Sequence, residues 1–557
     1  MYLLAISALL VLAALMPNHY FPWSTAWNDG VAIVSLLFIL SVLVAQKANQ
    51  SHASKKLAFI AAACLCIPVA QGFFGQIWFG GDIWIAVFFV LLWFVSAIAG
   101  HSFGSSTRDF NTSNLLAGAW FIPALLSVGI ALVQWTGAIN LGIYGVEMPP
   151  GGRPFANLAQ PNNFSTLCFL GLCGLIWLHQ SLRVSTQTFW LAAIFLLFGM
   201  VLSQSRTGWL QIALLVAWGW WMQPRAALRL GRSQFAALGA AFAFVVTLRP
   251  WISEALLLSG GRALGEQMQP GLRLPYWQMM LDAISREPWF GYGWQQVGSA
   301  QQRVALDHPP LGDFFEHAHN FVLDLMLWNG IPVGALITGL LVWWFWSHIR
   351  ACRDARVFWL LAAVGGVFVH AMLELPLEYA YFLIPVGLAM GAIDGLSPAQ
   401  GKTLRVPRWA LLCGTGLLTL GFVVTASDYL KAEENYRTLR LESARIGVGG
   451  IVTPAVDLHV LTQLEAFLQF ARIEAKPNMP PEQVDWMRKV ALRFGYPPVL
   501  FRYALAAGLN GQPDIARQTL ERICRIHPPQ RCEEAQQGWT ALQAQYPQLA
   551  AIKAPQK

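Results

Sequence analysis

The sequence predicts an all-α, polytopic integral membrane protein with about thirteen membrane-crossing helices, a large outward loop and a helical C-terminal domain. Two observations carry this. Only 12% of the residues are charged while 56% are hydrophobic, against about 25% charge in a typical soluble protein. The apolar excess also gathers in runs of about 15 to 21 residues, close to the ~20 that cross ~30 Å of hydrocarbon. Segments in lipid must be helical, because water is not there to satisfy their backbone hydrogen bonds. An ordinary soluble enzyme and a disordered chain are thereby excluded. The formal charge of +8 does not point to nucleic acid. The basic residues are dispersed over short loops, which reports topology, and no basic stretch is interleaved with stacking aromatics. The 25 Trp fit a protein with aromatic belts at the membrane surface.

Taken in order, the expected spans are 2–16, 31–45, 57–74, 83–99, 115–135, 163–179, 189–203, 207–222, 234–248, 320–347, 357–373, 379–394 and 409–427. The first lacks a basic leader and reads as a retained anchor rather than a cleaved signal. Alternate loops carry Lys47, Lys55, Lys56, Arg108, Arg183, Arg225, Arg229, Arg232, Arg350, Arg353, Arg356, Lys402, Arg405 and Arg408. The opposite short loops carry only Arg153 and Arg206. The positive-inside rule places the first set in the cytoplasm, so the two exceptions stand out. Four regions follow: 1–248 with an outward motif at 149–166, the outward loop 249–319, the spans of 320–427, and an outward helical domain, 428–557. A loop of about seventy residues rich in Pro and Gly is expected to work rather than merely connect. In the tail, "LFRYALAAGLNGQPDIARQTLERICRI" resembles a single tetratricopeptide-like helix pair, too little for an array. Six cysteines lie in spans or cytoplasmic loops and read as small apolar filler. Cys524 and Cys532 flank His527-Pro528-Pro529 in the outward tail, where a disulfide is permitted.

The stretches that could carry chemistry all face outward. In "PPGGRPFANLAQPNNFST" (149–166), Asn157, Gln160, Asn162 and Asn163 offer neutral hydrogen-bond partners and Arg153 a planar donor fork. The asparagines also suit a cap for the next helix. The hairpin "SQSRTGWLQ" (203–211) sets Arg206 at the membrane face, either snorkelling to lipid phosphate or clamping a phosphate. In "GLRLPYWQMMLDAISREPWFGYGWQQ" (271–296), Arg273 heads an amphipathic helix, and Tyr276, Trp277, Trp289, Tyr292 and Trp294 suit the headgroup region. Arg249, Arg262, Arg286 and Arg303 lie nearby in no distinctive pattern. "DFFEHAHNFVLDLMLWNGIPVGALI" (313–337) puts His317, His319 and Asn320 at a span's start. Histidine suits proton transfer near neutral pH. A spacing of two residues does not place both histidines on one helix face, which disfavours a metal pair. Arginines without a metal suit a diphosphate and an imidazole suits a hydroxyl nucleophile, so the expected chemistry is transfer from a lipid diphosphate to an alcohol. No cofactor is expected, since the donor carries the energy and no Walker motif is present.

At these residues the chain resembles the O-antigen ligase superfamily: "SRTGW", the run from Arg273 to "PWFGYGW", and "HAHNFVLDLMLWNGIP", over about 190–350. Within it, "IPVAQGFFGQIWFGGD" (67–82) and "GGRPFANLAQPNNFST" look like the bacterial protein O-oligosaccharyltransferases, and the extended tail fits that branch. The resemblance implies a multi-pass enzyme of the bacterial inner membrane with its active site facing the periplasm. It implies a metal-independent, inverting transfer of glycan from undecaprenyl diphosphate to Ser or Thr of pilins and other exported proteins. Carried over, His319 is the general base, with His317 its neighbour and possible substitute. Arg206 and Arg273 hold the diphosphate. Arg153, Gln160 and Asn162 line the donor or acceptor channel, and Asn320 joins the substrate-binding residues. Rival readings are an O-antigen ligase acting on lipid A core or a glycan polymerase, a transporter or flippase, and a scaffold for an envelope complex. A transporter predicts ionisable residues deep in spans or paired broken helices, whereas here the charges gather at loop edges.

Overall fold

The structure is a computed structural model that describes residues 2–45, 51–104, 112–258, 271–397, 402–444 and 456–555. Lys47, Arg108 and Arg262 lie outside them. The helices follow the apolar runs. They begin with α1 (Tyr2–Leu15), α2 (Ala26–Ala45), α3 (Lys55–Phe73), α4 (Gly80–Gly104), α5 (Thr112–Thr136) and α6 (Pro161–Gln180). Next come α7 (Thr186–Leu202), α8 (Arg206–Met222), α9 (Arg232–Ala255), α10 (Arg273–Arg286) and α11 (Val297–Val304). Then follow α12 (Phe321–Ala351), α13 (Ala355–Ala371), α14 (Ala380–Leu396) and α15 (Arg408–Ser443). The tail forms α16 (Thr462–Phe470), α17 (Pro481–Arg493), α18 (Pro497–Leu509), α19 (Pro513–Ile526) and α20 (Pro529–Gln545). Two short strands, β1 (Ser51–Ser54) and β2 (Thr403–Val406), pair antiparallel with Ser51 opposite Val406.

Every expected span coincides with a helix, and this is a polytopic, mostly helical membrane protein. Among the described residues, eight helices are by length and composition able to cross a membrane: α2, α3, α4, α5, α6, α9, α12 and α15. The apolar helices Leu4–Leu15, Thr186–Leu202, Ala355–Ala371 and Ala380–Leu396 are shorter, and α8 falls in neither group. Proline sits inside α3, α5, α9, α12 and α14, as membrane helices tolerate when neighbours satisfy the freed backbone groups.

The chain divides into two compact units. The first comprises Met1–Ala63, Phe88–Gln269 and Gly339–Val423. Small residues let its helices close, since lipid supplies no hydrophobic drive between helices and packing must do the work. A Cβ on Gly100 would collide with the Leu388 carbonyl, and one on Gly391 with the Ala97 carbonyl, so α4 and α14 meet backbone to backbone.

The second unit comprises Cys64–Val87, Pro270–Thr338 and Val424–Lys557. Its tail helices α17 to α20 all begin with Pro at the first turn, where the missing N–H and fixed φ suit a helix start. They pack around the fully buried Trp539, Met487, Ala507, Leu520 and Ile523. Asn510-Gly511 ends α18, with Gly511 at φ 78, a conformation glycine adopts without a Cβ clash. Cys524 and Cys532 are disulfide-bonded, with Cα atoms 4.5 Å apart.

Candidate active site

In the first unit the loop carrying Arg153 is shaped by one side chain of α5. Gln134 Nε2 donates to the carbonyls of Val146 (2.9 Å) and Ala156 (2.8 Å), and its Oε1 accepts from the N–H groups of Phe155 (3.1 Å) and Ala156 (2.8 Å). Asn157 adds bonds to the carbonyls of Leu15 and Tyr144 and accepts from Val146 N. So held, the loop brings Arg153 Nη1 to the carbonyl of Gln204 at 3.3 Å. Gln204 lies in the turn just before Arg206 and has φ 50. The structure therefore gathers both sparse-side arginines at the start of α8. There Ser205 is the N-cap residue, yet it makes no capping bond with its side chain. Its hydroxyl goes instead to Asn162 Oδ1 at 2.7 Å. A helix start whose capping hydroxyl is engaged elsewhere, with Arg206 as its first residue and the Arg153 guanidinium at the preceding turn, is suited to bind an anion.

Asn162 does not cap α6, and neither does Asn163, contrary to the expectation for this loop. The N-cap is Gln160, Pro161 follows it, and no side chain caps that end. Asn162 Nδ2 donates to Glu374 Oε1 at 2.9 Å and Gln160 Nε2 to Glu374 Oε2 at 3.4 Å, while Asn163 Nδ2 donates to Tyr381 Oη at 2.8 Å. Glu374 is buried. A carboxylate is the stronger acceptor, and it fixes the Asn162 amide so that Oδ1 faces Ser205. Deeper in, Gln211 Nε2 donates to Thr166 Oγ1 (2.9 Å) and to the Gly366 carbonyl (3.0 Å), and Thr166 Oγ1 lies 2.9 Å from His370 Nδ1.

In the second unit the histidine segment is pinned from its own backbone. Tyr276 Oη donates to the His317 carbonyl (3.1 Å) and Trp277 Nε1 to that of Ala318 (3.0 Å), both from α10, one turn beyond Arg273. Burial, with Asp324 and Asp313 adding to it, pushes the Tyr276 phenol well above its ordinary range, which keeps it a donor. Ala318 N donates to Asp324 Oδ1 at 2.7 Å, and Asn320 Oδ1 caps α12 by accepting from Val322 N and Leu323 N. Between these anchors His319 takes φ 50. The left-handed region is unfavourable for a residue with a Cβ, and such residues persist where surrounding contacts over-determine them. The His319 ring meets Phe315 edge-on at 5.4 Å and the His317 ring meets Trp328 edge-on at 6.2 Å. The two imidazoles thus face different neighbours. His317 Nδ1 is buried with no hydrogen-bond partner.

The aromatic-rich turn has a structural reason. α12 kinks at Gly330, φ 77. Tyr292 N donates to the Leu327 carbonyl (2.7 Å), Gly293 N to that of Trp328 (3.2 Å) and Ile331 N to that of Pro288 (2.7 Å). A Cβ on Gly291 or Gly330 would strike the opposing backbone. Gln71 ties in the 67–82 stretch, accepting from Trp294 N and donating to the Trp328 carbonyl. Tyr276 and Trp294 are buried rather than set among lipid headgroups, a correction to the sequence reading, whereas Trp289 is 69% exposed. Among the described residues no group of three or more His, Cys, Asp or Glu is arranged to hold a metal ion.

Comparison with known proteins follows the same landmarks. A family model described as O-antigen ligase matches residues 191–338, and one described as virulence factor membrane-bound polymerase, C-terminal, matches 358–542. The chain is 29% identical to a general O-oligosaccharyltransferase of Acinetobacter baylyi over 94% of its own length and 92% of the relative's. It is 26% identical to a ComP-specific O-oligosaccharyltransferase of the same organism over 88% of each chain. These matches make the chain similar to the O-antigen ligase superfamily. Within it the similarity lies with the oligosaccharyltransferase branch, so the protein is an enzyme, a glycosyltransferase. Sequence reasoning missed Gln134, Glu374, Gln211 and His370. Two carboxylates, Glu374 and Glu378, in the short 374–378 loop were the available signal for Glu374. The other three sit in apolar runs that carry no mark of which face turns inward.

Proposed function

We propose that this enzyme transfers an oligosaccharide from undecaprenyl diphosphate to Ser or Thr hydroxyls of exported proteins, pilins among them, at the periplasmic face of the bacterial inner membrane. The acceptor oxygen bonds to the anomeric carbon as the bond from that carbon to the diphosphate oxygen breaks. Its electron pair leaves on the diphosphate, and the hydroxyl proton passes to the imidazole of His319. Arg206 and Arg273 bind the diphosphate. Arg153, Gln160, Asn162 and Asn320 contact donor or acceptor, and His317 stands beside the base as its substitute. Each donor aimed at developing charge is worth about 2.7–4 kcal/mol of barrier, and a positioned base adds about 10²–10⁴ in rate.

The observation that carries this reading is His319, held left-handed by a backbone tied at residues 317, 318 and 320. The protein acceptor is supported by the relatives' names and by a C-terminal domain whose α18–α19 helix pair, tetratricopeptide-like in sequence, suits holding a polypeptide. A growing glycan as acceptor is the second reading, favoured by the polymerase description of the model over 358–542. Mass spectrometry of exported proteins with and without the gene decides between them. Loss of a glycan from Ser or Thr peptides supports the proposal. An unchanged glycoproteome with shortened surface polysaccharide supports the second reading.

A further inference from the structure

The C-terminal domain and α11 together seat the residues just before His317. Phe314 lies with its ring 5.5 Å from that of Tyr496, and it fills the space that a Cβ on Gly298 or Gly495 would take. Tyr496 Oη donates to Glu316 Oε1 at 3.2 Å, and Arg493 Nη1 lies 3.5 Å from the same oxygen. The Arg493 side chain is only 10% exposed, and its Nε donates to both oxygens of Asp82, each at 3.1 Å. Gln296 Nε2 also donates to Asp82 Oδ2, at 3.2 Å. Arg493, the last residue of α17, thus sits between a 2% exposed carboxylate at the start of α4 and the carboxylate next to His317. The domain adds backbone ties: Gln302 Nε2 donates to the carbonyls of Ala491 and Leu492, Leu311 N to that of Arg525, and His527 Nε2 to that of Gly495.

We infer that Arg493 is a positioning residue for the chemical step: through Glu316 and the Phe314 seat, the C-terminal domain fixes the segment that presents His319. This rests on the reading of His319 as the base. A bifurcated guanidinium between two carboxylates transmits position, because each bond restricts direction as well as distance. A strained residue such as His319 keeps its conformation only while its neighbours hold it. The segment is held by α10 and α12, by Gln301 of α11, which accepts from Phe315 N and donates to the Asp313 carbonyl, and at Glu316 and Phe314 by these domain contacts. Loss of the domain contacts releases the imbalance into the loop, and displacement of a catalytic group by about 1 Å lowers rate about 10²-fold. The domain is therefore required for turnover, whichever polypeptide it receives.

The test uses the full-length protein with lipid-linked donor and an acceptor protein, measuring kcat and both KM values. Arg493→Met is expected to lower kcat about 100-fold with acceptor KM within about twofold, and Arg493→Lys to restore part of it. Glu316→Gln, at a side chain 40% exposed and so safe for folding, is expected to lower kcat about tenfold and to raise hydrogen exchange across 313–320. An acceptor KM that rises while kcat holds overturns the inference and makes the domain a reader of the acceptor. Unchanged kcat and KM in Glu316→Gln also overturn it, leaving the contact as packing. His319→Ala is run alongside: if it transfers normally while Arg493→Met does not, the base assignment fails and the positioning role stands on another group.

Discussion

Replacing His319 by Gly and by Ala separates the backbone at this position from its imidazole. Both variants lose the ring and its edge-on contact with Phe315, so the contact cancels when they are compared. What remains is φ 50. A Cβ in the left-handed region costs about 1–2 kcal/mol. Glycine loses about 0.5–1 kcal/mol more backbone entropy than Ala on ordering. The difference leaves the Gly variant more stable locally by about 0.5–1 kcal/mol. Since about 1.4 kcal/mol is tenfold in an equilibrium constant, amides of 313–324 in His319→Gly should exchange hydrogen about two- to fivefold more slowly than in His319→Ala. Both variants should transfer glycan about 10²–10⁴-fold more slowly than the unaltered protein. Equal protection, or greater protection in Ala, refutes the claim that His319 is held under strain.

Three further outcomes are expected. Gln134→Leu removes four hydrogen bonds from the loop bearing Arg153, each worth about 0.5–1.5 kcal/mol. The thermal midpoint should fall and the donor KM rise, and an unchanged donor KM would show that the loop does not serve the donor. Arg206→Ala and Arg273→Ala should each cut transfer by purified protein about 10²–10³-fold, measured with the lipid-linked donor at saturation. Burial lowers the His527 pKa below the ordinary imidazole value of about 6.5, only partly offset by the Gly495 carbonyl. The unfolded chain then binds a proton first, so this contribution to stability is full above about pH 6.5 and shrinks as pH falls below it. Proteolysis of the full chain should accelerate from pH 7.5 to 5.5, and His527→Gln should flatten that dependence.

The fold was legible because a membrane demands long apolar runs, and each run became a helix. Membership of the site was less legible, because its decisive contacts join residues far apart in the chain. The motif around His319 was readable from its histidines and asparagine, but its left-handed backbone follows from Tyr276, Trp277 and Asp324 acting on carbonyls and an N–H that no pattern reveals. Arg153 was singled out by charge asymmetry, while its place beside the Arg206 turn depends on Gln134, one amide in an apolar run. Asn162 read as a cap because Asn often caps, yet a buried Glu374 is the stronger acceptor and took it. Tyr276 and Trp294 read as headgroup aromatics because both environments favour rings with a polar tip. The kink at Gly330 and its fit to Gly291 were hidden in a glycine-rich turn whose partner lies elsewhere in the sequence.

The central claim is that the imidazole of His319 takes the acceptor's proton. Single-turnover transfer by purified His319→Ala, with donor binding measured on the same sample, tests it most directly. Donor should bind as in the unaltered protein while the rate of glycan transfer falls about 10²–10⁴-fold. Transfer within about twofold of the unaltered rate would contradict the account.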